Sequence, residues 1–113
     1  MKPPRRILLL AAFALACSLA ACAKPASGPT PAEAQRLRSQ ALIDSGNVAY
    51  KAGDFGSAAR RYASAAVVEP DDPAAFYGLG MALSKLGRDD DARVAYAKAR
   101  ALAARPVDTA GRP

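Results

Sequence analysis

The chain repeats itself. Ser39–Asp72 and Pro73–Pro106 are each 34 residues long and abut without a gap. Laid side by side, Gly46 meets Gly80 and Gly53 meets Gly87. Ala58 meets Ala92, Tyr62 meets Tyr96, and Ala65 meets Ala99. Leu42 pairs with Phe76, and Val68 with Leu102. A fixed period of this length marks one supersecondary unit that has been copied. Neighbouring copies then bury a shared core. An arbitrary Ala-rich helical hairpin does not account for the common period.

Composition and punctuation say what the unit is made of. Hydrophobic residues are 51% of the 113, Ala carries much of that share, and aromatics are 6%. Ala-rich sequence with few β-branched residues favours helix over sheet. Thr30-Pro31-Ala32-Glu33 reads as a capping box, with Thr at the N-cap, Pro at the first helical position and Glu at the third. That helix runs to Ala52, where Gly53 supplies a stop. Asp54 caps a second helix from Phe55 to about Val68. Pro70-Asp71-Asp72-Pro73 is a turn, with Asp72 capping a third helix that ends at Gly87. A fourth runs from about Asp89 to about Ala104, and residues 107–113 form a disordered tail. The expectation is an all-α chain with a folded part at 31–106, made of two repeats and a helical extension at 31–38.

This 34-residue helix–turn–helix unit resembles the tetratricopeptide repeat. The resemblance rests on Gly46-Asn-Val-Ala-Tyr-Lys-Ala-Gly-Asp-Phe55, on Phe76-Tyr-Gly-Leu-Gly80, and on Glu69-Pro70, which closes the first copy. It covers residues 39–106. It implies a short α-solenoid of two repeats, each an antiparallel helix pair. Gly46, Ala58, Ala65 and their partners Gly80, Ala92 and Ala99 would sit where helices approach most closely. A larger side chain there would force the backbones apart. Leu42, Phe76, Leu79, Leu83, Tyr62 and Tyr96 would fill the space between. Ser45 and Ala49 stand where the second copy has Leu79 and Leu83, so the first pair is expected to pack more thinly. Asp89 stands where the first copy has Phe55, which makes Asp89-Asp90-Asp91 an acidic helix start. Consecutive helical residues point apart, so the run is not read as a calcium site and no metal ligands are assigned. No helix is expected to follow the fourth, whose end is nearly all Ala. That surface is either tolerated or covered by a second molecule, so a homo-oligomer stays open.

Residues 1–21 carry a different message. Lys2, Arg5 and Arg6 precede the apolar run Ile7–Ala16, and small residues then lead to Cys22. Basic, apolar, small is the order of an export signal. Leu19-Ala20-Ala21-Cys22 resembles the lipobox of bacterial lipoproteins. That resemblance implies a diacylglyceryl group on Cys22, cleavage before it, and no other cofactor. Ordinary cleavage after Ala23 and an uncleaved anchor are the alternatives. Ala23, rather than Asp, implies sorting to the outer membrane, facing the periplasm. Residues 22–30 then form a lipidated, flexible tether, with an end-to-end distance of about 16 Å for eight residues. The leader removes three basic residues and no acid, so the net charge falls from +6 to +3. With export, that argues against nucleic acid as a partner.

The resemblance also implies a function. Repeats of this family hold a peptide or helix of a partner in a groove lined by the first helix of each unit. The matching positions are Ile43, Asn47, Tyr50 and Lys51 in the first copy, and Tyr77, Met81, Ser84 and Lys85 in the second. The surface suits an extended segment carrying carboxylates. The family's two-carboxylate clamp is not expected, since Ile43 stands where a clamp Lys would be and a third repeat is absent. The expected function is a non-enzymatic interaction scaffold in the envelope, serving a pilus, secretion or outer-membrane machine. The alternative is a self-associating structural lipoprotein. An enzyme is disfavoured: the chain has no His, both Cys lie in the first 22 residues, and no carboxylate pair stands in an apolar cleft.

Overall fold

Each helix starts and stops where local chemistry dictates. The computed structural model describes residues 27–106. The leader at 1–21, Cys22, Ala23 and the tail at 107–113 lie outside the described residues. Helix α1 spans Pro31–Lys51, α2 Phe55–Val68, α3 Pro73–Lys85 and α4 Asp89–Ala103. At the start of α1 both halves of the capping box are made. The Glu33 amide donates to Thr30 Oγ1 at 3.2 Å, and the Thr30 amide donates to Glu33 Oε2 at 2.7 Å. These bonds hold the Glu33 carboxyl below its ordinary pKa. Asp54 and Asp72 cap α2 and α3 by accepting from the amides of Ser57 and Ala74. Helix α4 has no side-chain cap; three carboxylates crowd its positive end instead. Two of them are tied down, Asp91 by Arg88 at 2.7 Å and Asp90 by Arg93 at 3.2 Å.

Both hairpins close the same way. Gly53 and Gly87 take φ of 79° and 74°, a left-handed conformation that glycine adopts without strain. Around Gly53 the Asp54 amide reaches back to Ala49 O at 2.9 Å, and the Gly53 amide to Tyr50 O at 3.0 Å. Around Gly87 the Arg88 and Gly87 amides make the equivalent bonds to Leu83 O and Ser84 O. This pair of bonds satisfies carbonyls that a helix end leaves orphaned, and it turns the chain back on itself.

Helices pack in chain order, α1 on α2, α2 on α3 and α3 on α4, with a lighter contact of α1 on α3. Such nearest-neighbour stacking is what a solenoid of copied hairpins requires. The main core cluster combines the first hairpin with the helix stacked on it. Ile43 from α1, Ala58, Tyr62 and Ala65 from α2, and Ala75 and Ala82 from α3 form one buried cluster. Tyr62 is its largest member, with 1% of its surface exposed. Its ring lies between Gly46 of α1 and Gly78 of α3, and a Cβ at either glycine would come within 3.0 Å of ring carbons. Tyr96 lies against Gly80 in the same manner. The first turns of α1 are fastened by Gln35, whose Nε2 donates to Val68 O, and by buried Ser39, whose Oγ donates to Ala65 O at 3.4 Å. Among the described residues no helix is long and apolar enough to cross a membrane.

Glycine is normally a poor helix residue, by about 1 kcal/mol relative to Ala. Gly78→Ala should nevertheless destabilise the fold, because the added carbon runs into the Tyr62 ring. Gly56→Ala has open space around it, with Arg60 Nη1 at 3.8 Å as its nearest neighbour. It should be neutral or stabilising by up to about 0.5 kcal/mol. Ala58→Leu, at a fully buried site, should cost about 1–3 kcal/mol by overpacking. Thermal melts of the three variants check the ordering.

Candidate partner-binding surface

Residues expected to line a groove divide into three groups. Ile43 is 6% exposed and belongs to the core, so it is corrected from a groove contact to a packing residue. The physical reason is the repeat itself: α3 folds over the first hairpin and covers this position. Its counterpart Tyr77, with no helix beyond it among the described residues, is 57% exposed and packs edge-on against Tyr96 at 5.5 Å.

Asn47 is exposed as a residue, yet its Oδ1 is committed. It accepts from the Tyr62 hydroxyl at 2.6 Å. The bond ties the groove surface to the core, because Tyr62 is buried while its partner Asn47 is exposed. Burial pushes the Tyr62 phenol above its ordinary range, and the nearby Tyr50 hydroxyl adds to the shift. Tyr96 is raised by the same cause, with Tyr77 and Tyr50 contributing. All four tyrosines of the chain thus bear on one region.

The third group meets around Phe55. Tyr50 packs edge-on against the Phe55 ring with centroids 5.2 Å apart. Lys85, from the end of α3, holds its Nζ 6.0 Å above the same ring. A residue from each repeat is thereby gathered onto one aromatic platform. A cation over an aromatic face is attracted by the ring's quadrupole. Lys51 and Ser84 are exposed nearby in sequence, and Met81 is half-buried. Phe55 and Tyr96 were not among the expected groove residues. The signal for Phe55 was present, since it is an aromatic at a position where the second copy has Asp89. Among the described residues no cluster of three or more His, Cys, Asp or Glu could hold a metal ion.

The Tyr62 hydroxyl gives a pH signature. The folded chain keeps this proton above the ordinary phenol value of 10.0, at which the unfolded chain releases it. The associated stability is complete below that value and is lost as pH rises through the higher, folded-state value. Tyr62→Phe should lower stability by about 1 kcal/mol at neutral pH through loss of the Asn47 bond. It should also lose less stability than wild type between roughly pH 9 and 11. Denaturant melts at the two ends of that range measure both effects.

No curated protein matches the chain. A family model described as tetratricopeptide repeat matches residues 43–108, more than half of the sequence. The match falls on the two copied hairpins, their paired glycine turns and the stacked core just described. Repeats of this kind form protein-interaction surfaces, not catalytic centres. The chain belongs to the tetratricopeptide repeat family.

Proposed function

We propose that this protein is a lipid-anchored interaction scaffold whose groove holds an extended acidic segment of an envelope protein. The observation that carries the reading is the platform of Tyr50, Phe55 and Lys85, which joins the two repeats in one amphipathic surface. Aromatic rings supply the apolar anchor at such contacts. Lys85 and exposed Lys51 supply a positive field that steers carboxylates toward them. Neither Lys is needed by the core.

The anchor follows from Leu19-Ala20-Ala21-Cys22. With the lipid on Cys22 and α1 starting at Pro31, the fold works within a short tether of the membrane surface. Ala23 supports the outer membrane, facing the periplasm, as the address. A small adaptor held there suits the assembly of a pilus, a secretion apparatus or outer-membrane proteins.

Cys22→Ser removes the sulfur that carries the lipid. The variant should lose acylation and leave the membrane fraction. Mass spectrometry of the mature N-terminus reads the result, and an unlipidated chain beginning at Lys24 would rule the anchor out. For the groove, Tyr50→Ala combined with Lys85→Glu should keep its helical content by circular dichroism. It should lose at least about tenfold in recovery of the partner that crosslinks to wild type in cells, and the wild-type interaction should weaken with added salt. Full recovery by the folded variant would place binding elsewhere.

A further inference from the structure

The second repeat ends in a surface that the first repeat has covered. A depression of about 370 Å³ lies between α3 and α4, lined by Pro73, Ala74, Tyr77, Ala99, Arg100 and Ala103. One period earlier the same positions are Ser39, Gln40, Ile43, Ala65, Ala66 and Glu69. There Ser39, Ile43 and Ala65 are buried, and α3 packs over them. The internal interface therefore shows what the open surface is shaped to accept. Helix α3 meets it with Ala75, Gly78 and Ala82, small residues spaced three and four apart, all buried. Gly78 is obligatory in that face because the Tyr62 ring fills the space where a side chain would stand. Tyr96 repeats Tyr62: its ring rests on Gly80, but it is only half-buried because, among the described residues, no second helix covers it.

A second copy of this chain does not fit. The helix that would continue the stack is α1 of the next molecule, whose outer face carries exposed Leu37 and Val48. Its residue at the Gly78 position is Asp44. A side chain there would strike Tyr96 as one at Gly78 would strike Tyr62. Pairing two open ends about a two-fold axis also fails. The depression contains Arg100 and no lining carboxylate, so two exposed guanidinium groups would face each other across the seam. Among the described residues Arg100 takes part in no ion pair.

We infer that the open end of the second repeat docks a helix of a different protein, one that presents small residues at i, i+3 and i+7 with glycine at the middle position, and a carboxylate for Arg100. Apart from Tyr77, the depression shares no lining residue with the groove, so the scaffold has two partner surfaces. The occupant completes the solenoid: its glycine lets the helix close on the free face of the Tyr96 ring, and its small residues settle between Tyr77 and Ala103.

The probe is a labelled peptide copying residues 70–88, which carries this face together with Asp71 and Asp72. Full-length chain in mild detergent should bind it saturably by fluorescence anisotropy. Affinity should fall at least tenfold with Gly78→Leu in the peptide, or with Arg100→Glu in the chain, and should be unchanged by Val67→Ala on the exposed face of α2. Because a short peptide is a weak helix in isolation, a tethered form provides the second measurement. A chain in which a copy of residues 69–88 follows Leu102 should melt about 5 °C higher than the parent. The same extension with the copied glycine changed to Leu should show no gain. Absence of a gain from the intact extension, or peptide binding indifferent to Arg100→Glu, would overturn the inference. So would sedimentation showing a dimer of the full chain that Arg100→Glu dissociates, since the occupant would then be a second copy.

Discussion

The structure depends on one ring held between two glycines. Tyr62 leaves α2 and enters a slot whose walls are the backbones of α1 at Gly46 and α3 at Gly78. The slot belongs to neither hairpin alone, since one wall comes from each repeat. A two-hairpin solenoid is short, and arrays of such units usually need about three to be stable. Here the ring does what a longer array would do through many interfaces. It buries aromatic surface against both repeats at once, with Ile43, Ala58, Ala65, Ala75 and Ala82 closing around it. Its hydroxyl is not left without a partner, because Asn47 accepts it at 2.6 Å.

That constraint explains which parts of the fold could be read from the sequence. Local signals were sufficient for the helices. The Thr30–Glu33 box, the Asp54 and Asp72 caps and the Gly53 and Gly87 turns are written in adjacent residues, and each forms as its chemistry requires. The resemblance carried by the period then implied Gly46, Ala58 and Ala65 as close-approach positions. Gly78 lies in the Phe76–Gly80 motif, but the register does not mark it as a close-approach position, because the first copy has Asp44 there. A position that packs between repeats need not recur in the copy at the end of the array. The same asymmetry misplaced Ile43. Its equivalent Tyr77 is exposed, and only the three-dimensional stacking of α3 over the first hairpin distinguishes the two.

The groove was legible in part for a related reason. Helical spacing gathers Asn47, Tyr50 and Lys51 on one side of α1. It does not show that Tyr50 meets Phe55 across the turn, or that Lys85 of the next repeat closes over the same ring. Those contacts join residues 30 positions apart, Phe55 to Lys85, through the stacking angle of the repeats. Core and groove are therefore one mechanical object. Tyr62 sets the angle between hairpins, and that angle decides whether the aromatic and cationic residues of the two repeats face a partner together. A loosened core would scatter the groove without touching any residue that contacts the partner.

The central claim is that the two hairpins behave as one unit because Tyr62 joins them. Native-state hydrogen exchange tests it most directly. The account predicts that the slowest amides lie in the middle of α2 and α3, flanking the ring, and that both helices open with one shared free energy. Tyr62→Ala should then split them into two levels of protection. Two separate levels in the wild-type chain, one for α1 with α2 and another for α3 with α4, would contradict it.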